Sequence, residues 1–182
     1  MKFTETPLPG AFVIELEKRE DDRGFFARFF CKNELAVHGL SNEIVQANNS
    51  LSRVSGTLRG MHFQKYPKGE DKIVRCIRGS FLDVIIDLRP ESKSFMHHFS
   101  VMLSAENRVS LYVPKGFAHG FMTMEPDTEA FYLVTEKYSP ECERGVRYND
   151  PAFGIHWPME PVEISSKDSS YPAFDPKKHS LL

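Results

Sequence analysis

Residues 80–89 read SFLDVIIDLR, and their alternation decides the fold. Leu82, Val84, Ile86 and Leu88 share one face of an extended chain; Phe81, Asp83, Ile85 and Asp87 share the other. The run is cut by Asp83 and Asp87 and is too short to cross a bilayer. The same period of two recurs nearby. In RVSLYVP (108–114) Val109, Leu111 and Val113 lie together. In EAFYLVT (129–135) Ala130, Tyr132 and Val134 point one way, Phe131 and Leu133 the other, so Tyr132 is expected to be buried.

Turn signals separate these runs: DDRG at 21–24, PKG at 67–69 and 114–116, RG at 78–79, RPES at 89–92, EPDT at 125–128 and SPEC at 139–142. Short strands at that spacing predict an all-β sandwich or barrel, and the 182 residues suit a single domain, 1–182. One helix is predicted in the first half, at NELAVHG, with Asn33 as N-cap and Gly39 as the stop. The Pro- and Ser-rich tail after Asp150 reads as loops with short helical pieces.

Composition narrows the function classes. Hydrophobic residues make up 41% and charged residues 26%, as in a soluble globular protein. A net charge of −2 argues against a general nucleic-acid binder. Cys31, Cys76 and Cys142 are scattered, with no CxxC pair, which predicts reduced thiols and a cytoplasmic protein. The opening MKFTETPLPG has no apolar stretch of signal-peptide length.

Two stretches carry candidate chemistry. TLRGMHFQKYPKGEDK (57–72) gathers Arg59, His62, Gln64 and Lys72. His62 and Gln64 share a strand face; Arg59 falls on the opposite one unless Gly60 allows a bulge. Read alone, the cluster is either a pocket lining or an ordinary polar edge. PKGFAHGF (114–121) has the Pro-x-Gly-x-x-His form of the second cupin signature, with His119 as its imidazole. Cupins are jelly-roll barrels, and metal-binding members use a His-x-His in the first signature. Here that place reads His62-Phe63-Gln64, and a neutral amide is a poor transition-metal ligand. The segment SSKDSS (165–170) reads locally as a solvated turn.

Taken together, DRGFF (22–26), QANNSLS (46–52), LRGMHFQ (58–64), DK (71–72), DVIIDLR (83–89), VPKGFAHGF (113–121), YLVTEKYSP (132–140), NDP (149–151), WP (157–158) and ISSKD (164–168) resemble the dTDP-4-dehydrorhamnose 3,5-epimerase family. The resemblance implies a homodimeric cupin jelly roll with a few short helices. It also implies no metal, no other cofactor, and a nucleotide-linked 4-keto-6-deoxyhexose as substrate, in rhamnose biosynthesis. Carbons 3 and 5 would be inverted through an enolate. Position by position it makes His62 the general base, Tyr132 the general acid, Asp168 the carboxylate behind His62, and Lys72 the partner of the enolate oxygen. Arg23, Gln46, Asn48, Arg59 and His119 fall at nucleotide- and phosphate-binding positions. Tyr138 falls where a ring stacks on the base, and Glu143 and Lys167 match further ligand contacts.

Some positions depart from that pattern. Arg28 stands where a Glu that reads the base is common, Leu133 where Lys is frequent, Lys137 where a second Tyr is common, and Glu70 where Gln is. The Arg28 exchange leaves room for a CDP- or GDP-linked sugar, and relatives in the family differ in whether one carbon or both are inverted. Two other readings compete with an epimerase: a metal-dependent cupin oxygenase or isomerase using His62, Glu70 and His119, and a binding module without catalysis.

Overall fold

The alternation at 80–89 is realised as a strand that packs on both faces. In the computed structural model, which describes residues 1–177, the strands in chain order are β1 (Lys2–Glu5), β2 (Phe12–Glu15), β3 (Arg19–Asp21), β4 (Gly24–Phe26), β5 (Gln46–Ser52), β6 (Thr57–Gln64), β7 (Lys72–Arg78), β8 (Ser80–Asp87), β9 (His98–Ser104), β10 (Ser110–Val113), β11 (Phe117–Thr123), β12 (Thr128–Val134), β13 (Glu143–Gly145) and β14 (Glu163–Ile164). Two short helices accompany them, α1 (Lys32–Val37) and α2 (Ser166–Ser169).

The strands form two facing sheets, as a jelly roll requires. The first runs β1-β2-β10-β7-β12-β5; the second runs β13-β6-β11-β8-β9, with β14 added parallel to β6. A separate β3–β4 hairpin stands beside them. The main core fills the space between the sheets. Val74, Leu111 and Ala130 from the first meet Phe81, Ile85, Leu103, Phe117 and Phe121 from the second, and the Phe81 and Phe121 rings lie 4.7 Å apart. Each of the larger side chains, Val, Leu, Ile and Phe, contributes roughly 1.5–3 kcal/mol by leaving water.

The outer faces are covered too. Leu35 and Leu40, in and just after α1, lie over Ile14, Ile73, Tyr112 and Leu133 of the first sheet. The C-terminal segment brings Val146, Phe153 and Trp157 over Met61, Val84 and Ile86 of the second. This double coverage explains why β8 is apolar on both faces. Its two acids survive burial by finding partners: Asp83 binds His119, and Asp87 binds Arg89 and Ser94.

Three local expectations are corrected. Cys31, not Asn33, is the N-cap of α1 and makes no side-chain cap bond; the helix does stop before Gly39. The tail holds a short parallel strand, β14, besides its helical turn. Tyr132 is half-buried rather than buried, because it faces a cavity.

Candidate active site

Residues of both sheets line a cavity of about 680 Å³, and a second lobe of about 410 Å³ shares part of that lining. His62, Lys72 and Tyr132 line both lobes. His62 comes from β6 in one sheet, whereas Lys72 and Tyr132 come from β7 and β12 in the other. An imidazole and a phenol therefore approach the same space from opposite walls.

Two glycines shape the His62 wall. A Cβ on Gly60 would lie 2.5 Å from the Gly120 Cα, and one on Gly120 would lie 2.7 Å from the Arg59 carbonyl oxygen. Only residues without side chains let β6 and β11 approach so closely. Gly60 has φ +130, and the pairing shifts register between His119 and Phe121. The irregularity brings Arg59 to the same cavity as His62, as a bulge at Gly60 would require.

His62 is oriented from the C-terminal tail. Its Nε2 donates to Asp168 Oδ1 at 2.7 Å, while Asp168 Oδ2 accepts the Gly60 N–H at 3.1 Å. The Nε2–H tautomer leaves Nδ1 as the basic nitrogen. Ser165 caps α2 by accepting the Asp168 N–H, and Asp168 is buried although its neighbours are exposed. The solvated-turn reading of 165–170 is thus overturned for this residue. Burial pushes the Asp168 carboxyl up, but the bond and charge of His62, with the Gly60 and Ser165 contacts, outweigh it and hold the group below its ordinary value.

Lys72 Nζ lies 3.1 Å from Glu70 Oε1, with both side chains largely buried. Gln64 holds this pair in place. Its amide donates to the Lys68 and Lys137 carbonyls and to Glu70, and its oxygen accepts the Ser139 N–H at 2.6 Å. The ligand set of the metal-dependent reading is not gathered: His62 and His119 each turn to an aspartate, and Glu70 turns to Lys72. Among the described residues no group of three or more metal-binding side chains assembles.

The larger lobe also takes Arg59, His119 and Lys167. Arg59 uses Nε and Nη2 on Ser52 and the Leu51 carbonyl, which holds the guanidinium, and Nη1 makes no hydrogen bond among the described residues. The smaller lobe takes Gln46, Asn48, Tyr138 and Glu143. Gln46 accepts the Tyr138 N–H and so holds that loop. Tyr138 Oη and Lys167 Nζ both donate to Glu143 Oε2, at 2.8 and 2.5 Å. Burial raises the Glu143 carboxyl, and these two bonds more than reverse it; the same contact raises the Tyr138 phenol.

Arg23 and Arg28 stand apart from both lobes. Arg23 is in the turn of the β3–β4 hairpin, 90% exposed and paired with Asp21; Arg28 pairs with Glu34. Two residues near the site escape the sequence reading. Asp83, buried behind His119, is signalled only by an acid among apolar neighbours on its strand face. Tyr171, whose ring centre is 6.0 Å from that of His62, is signalled only by standing three residues beyond Asp168.

Comparison with known proteins agrees with this arrangement. The family model described as dTDP-4-dehydrorhamnose 3,5-epimerase matches residues 5–176. The chain belongs to this family. The curated family member from Sinorhizobium fredii is 42% identical over 174 residues, 95% of this chain and 89% of its own. A crystal structure of the Bacillus anthracis member, with TDP and PPi bound, superposes with a TM-score of 0.91 at 42% identity, covering 95% of this chain and 99% of that one. The Legionella pneumophila member, in complex with dTDP-4-keto-L-rhamnose, gives a TM-score of 0.88 at 34% identity, covering 94% and 92%. These neighbours fix the fold as the family's all-β cupin jelly roll, and membership makes the chain an isomerase by class.

Proposed function

We propose that the protein epimerises a dTDP-linked 4-keto-6-deoxyhexose at carbon 3, carbon 5 or both, as one domain spanning residues 1–182. The observation that carries this is the His62–Asp168 pair on one wall of a cavity and Tyr132 and Lys72 on the other. His62 Nδ1 takes the proton from the carbon next to the ketone. The C–H electron pair moves toward the C4 oxygen, giving an enolate, and Lys72 stabilises that developing charge. Tyr132 Oη–H returns a proton to the carbon from the opposite side, and exchange with solvent restores both groups. Each acid–base group is worth on the order of 10²–10⁴ in rate. Asp168 holds the tautomer and stabilises the imidazolium. No electrons leave the substrate, so the chemistry calls for no redox cofactor.

Binding follows from the remaining groups. Arg59 and Lys167 offer positive groups to the diphosphate in the lobe that His119 also lines, Tyr138 offers a ring to the base, and Glu143, Gln46 and Asn48 offer polar contacts. The bound TDP and dTDP-sugar of the relatives favour dTDP over the CDP- and GDP-linked alternatives. Arg28, held by Glu34 outside both lobes, does not reverse the charge within them.

The reading includes a homodimer. The exposed β3–β4 hairpin, with Phe25 40% and Phe26 68% exposed beside Arg23, suits contact with a second copy whose cavity Arg23 would join. It also includes a cytoplasmic location: Cys31, Cys76 and Cys142 are free thiols, and no described helix is long and apolar enough to cross a membrane.

Incubation with dTDP-4-keto-6-deoxyglucose in deuterium oxide tests the proposal. Deuterium at carbon 3 or 5, with the epimerised product, is expected. A substrate that returns unlabelled and uninverted would refute it.

A further inference from the structure

The geometry points to Tyr171 as a positioning residue for His62: its ring wedges into the space that Gly145 leaves and fixes the plane of the imidazole. The inference rests on His62 being the base. On the β13 side, the strand partner of His62 is Gly145. A Cβ added there would overlap the Tyr171 ring, so the missing side chain is what admits it. The ring meets the imidazole edge to face, with centroids 6.0 Å apart and planes at 71°.

One short segment thus supplies both restraints on His62. Ser165 starts the single turn of α2; Asp168 leaves it toward Nε2, and Tyr171, three residues later, reaches the ring. A hydrogen bond to Nε2 alone leaves the imidazole free to rock about that bond. A packed aromatic beside it removes this freedom and keeps Nδ1 aimed at the substrate carbon.

The role belongs to the ring and not to the hydroxyl. Among the described residues Tyr171 Oη is buried with no well-formed hydrogen bond, the nearby Lys167 ammonium making at most a loose contact. Such an oxygen does not anchor the side chain, since an unmet buried hydroxyl costs stability. Packing against Gly145 and His62 does the holding.

The test compares Tyr171→Phe, Tyr171→Ala and Gly145→Ala with the wild-type protein. One measurement is carbon-13 relaxation of the His62 ring C–H groups in ligand-free protein, which reports how far the ring rocks without any turnover. The other is kcat and KM for the ketosugar. Tyr171→Phe is expected to match the wild type in both. Tyr171→Ala and Gly145→Ala are expected to loosen the His62 ring and lower kcat by on the order of ten- to a hundredfold, with KM changed little. If Tyr171→Ala does not fold, Tyr171→Leu fills the space without a flat ring and carries the same expectation. An unchanged His62 ring mobility and kcat in the Ala or Leu variant would overturn the inference, as would an equal loss in Tyr171→Phe. A wild-type protein that turns over no ketosugar would instead count against the proposed function, and the ring relaxation would still decide the wedge.

Discussion

His62 and His119 are cross-strand partners on β6 and β11, and each donates Nε2–H to a buried aspartate at 2.7 Å. The two pairs are not equivalent. Asp168 spends its second oxygen on the Gly60 N–H, and the His62 side chain keeps 31% of its surface open. Asp83 has a second oxygen with no partner among the described residues, and the His119 side chain keeps only 9%. On the proposed function, the first pair serves proton transfer at the cavity surface, and the second fixes the orientation of the more buried His119 ring.

Asp168→Asn should lower kcat and weaken the fold in a pH-dependent way. The folded Asp168 carboxyl lies below its ordinary value of 3.8. Its contribution is therefore present above pH 3.8 and lost as pH falls through the lower folded value. Denaturant melts should find the variant less stable by about 1.5–3 kcal/mol at pH 7, the range for a charged hydrogen bond, and the gap should narrow toward pH 2. A gap that is constant with pH would contradict the ionised pair.

Lys72→Met should lower kcat by on the order of 10²–10³, as expected for a group that meets charge developing in the transition state. It also strands Glu70 in a mostly buried position. Adding Glu70→Gln should restore the melting temperature and leave kcat low. Recovery of both together would reduce Lys72 to a structural counterion.

Tyr138→Ala should weaken dTDP binding by about 1–3 kcal/mol in a calorimetric titration, the usual loss of one ring–base stack. The kcat at saturating substrate should change little, because Tyr138 is proposed to touch the base and not the reacting sugar, and it lines only the smaller lobe. A large fall in kcat with unchanged affinity would place the base elsewhere.

Asp83→Ala leaves the His119 Nε2–H without its acceptor in a buried place. Stability should drop by about 1–3 kcal/mol, and KM should rise more than kcat falls. An equal fall of both kcat and kcat/KM would instead put His119 in the chemical step.

Much of this was legible in the chain. The period of two at 80–89, 108–114 and 129–135 marks strand faces directly, because side chains alternate with no help from the rest of the fold. His62, Lys72 and Tyr132 could be named from family motifs, and all three meet at one cavity. Asp168 was invisible locally: a carboxylate in SSKDSS becomes a buried partner only when β14 docks on β6 and delivers α2 to His62. Tyr171 and Asp83 were missed for the same reason, since their partners lie many residues away. Asn33, a favoured N-cap type, lies inside α1 instead, two residues before Leu35, whose burial on the first sheet is worth more than one cap.

The measurement closest to the central claim follows deuterium uptake and stereochemistry together in Tyr132→Phe and His62→Ala. With base and acid on opposite walls, Tyr132→Phe should still take up deuterium from solvent while completed inversion falls far below wild type, and His62→Ala should lose both. Uptake in His62→Ala at the wild-type rate, or inversion undiminished in Tyr132→Phe, would contradict the account.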